Sequence, residues 1–362
     1  MPLRPKERSN VGELIRQART RRVPVGSTGS HPWDLSRLNK TIAFDTPDML
    51  LTVETGQTLA AAKDMVEAER LWLPLDMPGD SYLSLAEYLT QDHSLSWLSS
   101  RYGAARDWIT RLTAVDDEGR EVACGAKVVK NVAGYQWAPL YIGAGDALGP
   151  IVEVSFRLLP LPTSISCGQW EGKSPSSLMG IWRQGCQDSH PTGRGDPWEA
   201  IRLTRHSSQW RMEGITRFPP DAVANWGRPV RDQIQEAITT AATPPRETAI
   251  PDFKPVHRIQ VLPTQIAGLL DTLAACQLDL SCYPASGIIH AGPIHDDQDK
   301  QTYTAMLDMV IAKGGRVQPL RAGAHVNRQP GRDPSGERTI MTRVKSILDP
   351  EGVFGPLPEN RW

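Results

Sequence analysis

The sequence has almost no net charge, no long apolar run and no closely spaced cysteines, and each shortage removes a class of protein. Forty lysines and arginines stand against 41 aspartates and glutamates, a net charge of -1, so no basic field is available to hold nucleic acid. The local exception, Arg16, Arg19, Arg21 and Arg22, lies beside Glu7 and Glu13 and reads as a solvated helix face. No stretch approaches the ~18 apolar residues that span a bilayer, and the N-terminus lacks the apolar centre of a secretory signal. The expectation is a cytoplasmic chain that meets a membrane only through partners. Five cysteines, Cys124, Cys167, Cys186, Cys276 and Cys282, form no Cys-x-x-Cys pair. They read as reduced structural thiols, and an iron-sulfur cluster would have to belong to a partner. His290 and His295 lie near Asp296 and Asp297 without a metal-ligand spacing such as His-Glu-x-x-His, so a solvated loop after a strand is the simpler reading. No serine, cysteine or carboxylate pair presents a hydrolytic centre.

What is present is a chain of 362 residues, 40% hydrophobic and 22% charged, which suits a globular protein of about two domains. Strands and helices alternate, and no repeat is visible. Asn10-x-x-Glu13 resembles a capping box, with Val11, Leu14, Ile15 and Ala18 following at helical spacing, and a strand is expected over residues 22–25. Strands are predicted at 41–44 and 51–54, then a helix over 58–70 that presents Leu59, Ala62, Met65 and Val66 on one face. A hairpin follows, 109–115 and 121–124 around Asp116-Asp-Glu-Gly119. Val152, Val154, Phe156 and Leu158 alternate as a half-buried strand that ends at Pro160 and Pro162, which places a domain boundary near Thr163. The next region, rich in tryptophan and proline, is irregular. Beyond it the pattern predicts strands at 256–262, 280–283 and 288–291 and helices at 264–276, 297–313 and 335–348, an α+β sheet covered by helices on one face.

Two glycine-bearing segments point to chemistry. Lys127-Val-Val-Lys-Asn-Val-Ala-Gly-Tyr135, followed by Gly143-Ala-Gly-Asp-Ala-Leu-Gly-Pro-Ile-Val-Glu153, reads as a place where backbone approaches something closely, such as a large planar or phosphorylated cofactor. In the loop Gly26, Ser27, Thr28, Gly29 and Ser30, small residues let backbone N–H groups and hydroxyls converge on anionic oxygens. His31 beside it reads as a flavin or phosphate contact or as a surface histidine. Lys130 and Asn131 either serve a cofactor or orient the turn before Gly134 and Tyr135. Arg101 and Arg106 flank Tyr102-Gly103 and suit anionic oxygens, or else pair with Asp107.

Leu-Ser-Arg-Leu-Asn ending at Asn39, Val53-Glu-Thr-Gly-Gln-Thr-Leu59, Arg101-Tyr-Gly-Ala-Ala-Arg-Asp107, Lys130-Asn-Val-Ala-Gly-Tyr135 and Leu348-Asp-Pro-Glu-Gly-Val-Phe354 together resemble the FAD-binding E-subunit family of bacterial glycolate oxidases. That family lies within the flavoproteins named after vanillyl-alcohol oxidase and para-cresol methylhydroxylase (PCMH). The resemblance implies an α+β fold: a two-subdomain PCMH-type FAD-binding domain over residues 1–162, a smaller α+β cap domain over 163–325 and a segment, 326–362, returning to the first domain. It implies FAD as cofactor, with a related flavin subunit and an iron-sulfur subunit as partners in oxidising a small 2-hydroxy acid. Residues 26–30 correspond to its first pyrophosphate loop, and Gly149, Ile151 and Val152 keep its later motif. Departures are Ser84 and Leu85, where the family carries glycines, and Asp146 and Ala147, where Gly and Thr are usual. A side chain at the first pair would occupy the space through which backbone reaches a diphosphate, and an acidic Asp146 facing a phosphate would repel it. Two functions therefore stand: a flavin-binding redox subunit, or an assembly subunit that keeps the fold without flavin.

Overall fold

The computed structural model describes residues 3–22, 25, 33–75, 83–90, 98–126, 137–162, 165–172, 174–188, 200–206, 209–216, 235–241, 256–274, 276, 278–292, 297–319 and 335–358. The chain divides into two compact units: unit 1 is Met1–Ser94, Gly103–Leu161 and Pro334–Trp362, and unit 2 is Leu95–Tyr102 and Pro162–Asp333.

The elements run in chain order as α1 (Arg8–Arg21), β1 (Thr41–Asp45), β2 (Leu50–Glu54), α2 (Leu59–Ala68), β3 (Leu71–Trp72), α3 (Leu85–Thr90), α4 (Ser99–Tyr102) and α5 (Ala105–Trp108), then β4 (Ile109–Val115), β5 (Glu121–Gly125), α6 (Ala138–Tyr141), β6 (Ile151–Arg157) and β7 (Leu159–Pro160). Unit 1 is built on a five-stranded antiparallel sheet of order β1-β2-β6-β4-β5, with β3 and β7 as a separate pair. Helix α1 starts before the expected capping box: Glu7 is the N-cap, and its backbone N–H donates to Asn10 Oδ1 at 3.0 Å. The helix ends at Arg22 in the left-handed region, φ 53°, Val25 makes a parallel bridge to Phe354, and residues 23 and 24 of the expected strand lie outside the described residues. Thr58 caps α2 through the Ala61 N–H. Lys63 joins the buried face of α2, its ammonium held by the Leu75 carbonyl.

Strand β6 corrects the half-buried expectation, because Ile151 to Phe156 are all buried. Its polar face can be enclosed because each group on it is matched. Ser155 Oγ meets Thr52 Oγ1 at 2.8 Å, and the Glu153 carboxylate accepts from Arg8 Nη1 at 2.6 Å. Burial alone would lower the Arg8 pKa, but hydrogen bonds and charge from Glu121 and Glu153 raise it on balance. Below the sheet, Val11 and Ile15 of α1, Val25, Trp33, Ala86, Val115, Val152, Val353 and Phe354 form one buried cluster. Its members come from the two ends and the middle of the sequence.

Unit 2 contains β8 (Ile165–Gly172), α7 (Pro175–Asp188), β9 (Ala200–His206), β10 (Gln209–Thr216), β11 (Gln235–Ala241), β12 (His257–Gln260), a 3-10 turn Pro263–Gln265, α8 (Ile266–Leu273), β13 (Leu280–Tyr283), β14 (Ile288–Ala291), α9 (Asp297–Ala312) and β15 (Arg316–Pro319), while α10 (Ser335–Leu348) returns the chain to unit 1. Its eight-stranded antiparallel sheet has the order β11-β8-β10-β9-β13-β14-β12-β15. Numbering the strands of each half from one to four gives 4-1-3-2 for the first half and 2-3-1-4 for the second. The halves therefore share one topology and meet at their second strands, through β9 and β13. No repeat was visible in the sequence, and the sheet order reveals one. The register aligns Val317, Ile259, Ile289, Cys282, Leu203, Met212 and Trp170 in a single cross-strand row. That row packs with Leu178 of α7, Leu270 of α8 and Leu307 of α9 in one core, so the helices cover one face of the sheet as expected.

Candidate functional site

The turn before β6 was expected to bring backbone close to a ligand, and the structure shows where its donors go. Gly143 N–H donates to Leu89 O at 2.7 Å, Gly145 N–H to Thr90 O at 3.2 Å and Gly149 N–H to Asp146 O at 3.0 Å. Gly149 has φ 109°, and a Cβ there would lie 2.1 Å from Val115 O. Glycine is required at 149 by the neighbouring strand itself. Ile151 and Val152 then enter the core, their carbonyls accepting from Thr55 Oγ1 at 2.5 Å and Thr55 N–H at 3.2 Å. Asp146 adopts φ 64° and is buried, and Ala147 is buried beside it.

The 143–149 turn thus docks on the C-terminal end of α3, the helix that carries the departures at 84 and 85. Ser84 and Glu87 cap α3 reciprocally: Ser84 N–H and Oγ reach Glu87 Oε2 at 3.0 and 2.7 Å, and Glu87 N–H reaches Ser84 Oγ at 3.2 Å. Leu85 is fully buried, its N–H donates to Gln57 O, and Ala86 N–H donates to Thr55 O, both at 2.8 Å. Serine and leucine here build a capped, packed helix start whose first amides are directed at unit 1 itself.

Residues 26–30, His31, Lys130, Asn131, Gly134 and Tyr135 lie outside the described residues. The chain on either side of residues 26–32 is described. Val25 N–H donates to Val353 O at 2.6 Å, Gly355 N–H donates to Val25 O at 3.0 Å, and Trp33 bridges Leu3. Trp33 is 2% exposed, and its indole Nε1 has no hydrogen-bond partner among the described residues. A buried donor left unsatisfied costs about 1–3 kcal/mol, which an acceptor-rich ligand would remove. A flavin dinucleotide carries such acceptors, so the orphaned indole beside the predicted phosphate loop fits this group.

Of the arginines, Arg101 belongs to unit 2, whereas Gly103 and Arg106 belong to unit 1, and both guanidiniums are on exposed residues. Gly103 has φ 80°, and the space its Cβ would fill is taken by the Asp107 carboxylate, 2.5 Å away, which caps α5 by accepting the Ala104 N–H at 2.7 Å. Among the described residues Asp107 pairs with neither arginine.

Sequence reasoning missed two further groups in unit 1. Lys345 Nζ bonds Asp349 Oδ2 at 2.6 Å and Ala147 O at 2.9 Å, while Asp349 accepts the N–H groups of Val353 at 2.7 Å and Phe354 at 3.0 Å. In the sequence, Leu348 to Phe354 stands only among the segments that carry the family resemblance, and the four-residue spacing from Lys345 to Asp349 was the available signal for the pair.

His290 stands inside β14 with its ring edge-on to Tyr283 at 5.6 Å, which corrects the solvated-loop reading. Burial, and then the charge of Arg258, push its pKa down to about 3. His295 and Asp296 lie outside the described residues, and among the described residues no group of three or more His, Cys, Asp or Glu is placed to hold a metal ion. Cys124, Cys276 and Cys282 are buried free thiols. No helix among the described residues is long and apolar enough to cross a membrane.

Residues 3–125 match the family described as FAD binding domain. The chain is 30% identical over 138 residues to a D-2-hydroxyglutarate dehydrogenase of Xanthomonas citri pv. viticola, covering 38% of this chain and 29% of that protein. It is 24% identical over 172 residues to the glycolate oxidase subunit GlcD of Bacillus subtilis, covering 44% and 36%, respectively. To the glycolate oxidase subunit GlcE of Escherichia coli it is 24% identical over 121 residues, covering 33% and 35%. The matches thus span about a third of these relatives' own lengths. Among solved structures, the 4-ethylphenol oxidase of Gulosibacter chungangensis superposes with a TM-score of 0.69 at 13% identity, covering 99% of this chain and 89% of that one. An alkyldihydroxyacetonephosphate synthase gives 0.65 at 14%, covering 97% and 76%. These likenesses show the fold, a PCMH-type FAD-binding domain with a second α+β domain, and FAD is the cofactor that the matched domain takes.

Proposed function

We propose that this chain is an FAD-binding oxidoreductase subunit similar to the E subunit of glycolate oxidase, acting in the oxidation of a small 2-hydroxy acid beside a related flavin subunit and an iron-sulfur subunit. Residues 1–162 with 326–362 form the flavin domain in this reading, and residues 163–325 form the cap that meets the substrate. The observation that carries it is the match of residues 3–125 to the FAD binding domain, which contains Val25 and Trp33 at the two described ends of the predicted phosphate loop.

When bound, FAD supplies the two-electron redox chemistry, and the protein supplies binding, orientation and electrostatics. Gly26, Ser27, Thr28, Gly29 and Ser30 offer backbone N–H groups and hydroxyls to the diphosphate, and Trp33 Nε1–H offers a further donor. Lys130, Asn131, Gly134 and Tyr135 would serve the flavin or its diphosphate, Arg101 and Arg106 would each offer a guanidinium to anionic oxygens, and Gly103 makes room for the Asp107 carboxylate that caps α5. Gly149, Ile151 and Val152 act from behind, by seating the strand against which the site is built.

The second reading, an assembly subunit without flavin, is favoured by the capped start of α3, where Ser84 and Leu85 direct their amides at unit 1 or at Glu87. A visible absorption spectrum of the purified chain, before and after incubation with FAD, separates the two. Flavin bands with stoichiometric uptake are expected. A chain that is folded, colourless and unable to take up FAD would sink the flavin reading. Co-purification of the native complex tests the partners, and anaerobic bleaching of bound flavin by glycolate or D-lactate tests the substrate class.

A further inference from the structure

Lys345 and Asp349 stand one helical turn apart at the end of α10, and the Asp349 side chain is fully enclosed while Lys345 is 17% exposed. An isolated pair at this spacing contributes only about 0.2–0.5 kcal/mol to a helix. Enclosing charges also has a desolvation cost that a pair of apolar residues would avoid. What this pair provides, and an apolar pair cannot, is direction. Lys345 Nζ bonds Ala147 O at 2.9 Å and Phe354 O at 3.4 Å, and the two Asp349 oxygens accept Val353 N–H at 2.7 Å and Phe354 N–H at 3.0 Å. The strand-like piece so held, Val353 to Gly355, brackets Val25 with two backbone hydrogen bonds of 2.6 and 3.0 Å.

One ion pair therefore joins three segments far apart in the sequence: the 143–149 turn, the C-terminal piece, and Val25, the residue that precedes Gly26. Charge-assisted hydrogen bonds are shorter and stronger than neutral ones, so they suit a junction that has to hold backbone in one register. We infer that Lys345 and Asp349 are positioning residues for the flavin. They set Val25 and Ala147, one in each of the two segments in which the sequence locates the cofactor. This inference rests on the FAD reading above and adds the device that orients its site.

The test uses the full chain and the variants Lys345→Met, Lys345→Arg and Asp349→Asn. It measures FAD affinity by flavin fluorescence, the visible circular dichroism of bound flavin, and amide hydrogen exchange at Val25 and residues 143–149 without FAD. Lys345→Met is expected to weaken FAD by about tenfold or more, to change the flavin dichroism and to accelerate exchange at Val25, while β13 and β14 keep their protection. Lys345→Arg, which keeps the charge and can reach the same oxygens, should restore affinity to within about threefold of the parent. Parental FAD affinity and dichroism in Lys345→Met would overturn the inference, as would a Lys345→Arg chain that binds no better than Lys345→Met. Should Lys345→Met fail to fold, Asp349→Asn keeps the shape, removes the charge and is judged by the same measures. If the parent chain takes up no FAD, the functional reading fails separately. Exchange at Val25 then decides alone whether the pair holds that segment, and unchanged exchange overturns the latch.

Discussion

In unit 1 the buried polar groups tie together backbone that is distant in sequence: Thr55 Oγ1 holds Ile151 O, Lys345 Nζ holds Ala147 O, and Asp349 holds the turn that brackets Val25. In unit 2 the corresponding groups mostly pair across neighbouring strands or onto an adjacent helix, as Arg202 does with Glu213 at 2.5 Å and Tyr303 with His257 at 3.2 Å. The difference follows from topology. Unit 2 is two similar modules joined along one seam, so its neighbours in space are largely neighbours in its own half. Unit 1 gathers both ends and the middle of the chain, and its long loops close at an entropic cost that the polar ties help to offset.

The sharpest way to break this comparison is at the seam. Leu203 is fully buried on β9 opposite Cys282 of β13, and Leu203→Ala should destabilise unit 2 by about 2–5 kcal/mol. Hydrogen exchange in denaturant should show β13 and β14 losing protection while β2 and β6 keep theirs, and equal loss in both units would overturn this expectation. Acid provides the next test. His290 has its pKa depressed to about 3 from an ordinary 6.5, so the unfolded chain binds a proton that the folded chain refuses. Stability from this residue is complete above the ordinary value and is lost as pH falls below it. A loss of about 1–2 kcal/mol between about pH 7 and 5 is expected, and His290→Gln should flatten that slope.

Removing one partner of the Arg202 pair, by Glu213→Gln, should cost unit 2 about 1–3 kcal/mol in chemical denaturation, with no change in FAD affinity. Trp33→Phe should do the reverse. It removes the orphaned Nε1–H, leaves the apo melting temperature unaltered or slightly raised, and weakens FAD by about tenfold in a fluorescence titration. Smallest of all, Arg120→Ala deletes an exposed ion pair with Asp116 and should leave the melting curve unmoved.

Where local signals agree with the final environment, the sequence was legible. The hairpin β4–β5 around Asp116-Asp-Glu-Gly119 and the helix α10 follow from turn chemistry and 3.6-residue spacing, and both stand within a residue of their expected bounds. The tryptophan-rich region was opaque for an equally physical reason. Strand β8 includes Gly168 and Gly172, residues of poor strand propensity, and is stabilised by pairing on both sides with β10 and β11. Trp170 and Trp210 are large because they fill the core between this sheet and its helices. The buried Lys63 and the full burial of β6 were likewise invisible, because each depends on a partner outside its own element, Leu75 O beyond α2 in one case and the distant Arg8 and Thr52 in the other.

For the candidate site, residue chemistry marked the small-residue loop at 26–30 and the glycine turn at 143–149 as places of close backbone approach. Glycine's tolerance of positive φ is a local property, so the need for it can be read locally. What glycine makes room for cannot be read that way. Only the tertiary structure shows that Gly149 admits the Val115 carbonyl, that Ser84 and Leu85 start a capped helix, and that a C-terminal lysine and aspartate tie the glycine turn to Val25. The decisive ties, Lys345 to Ala147 and Val353 to Val25, join residues more than a hundred positions apart, where neither propensity nor spacing carries information and only the closed fold brings donor to acceptor.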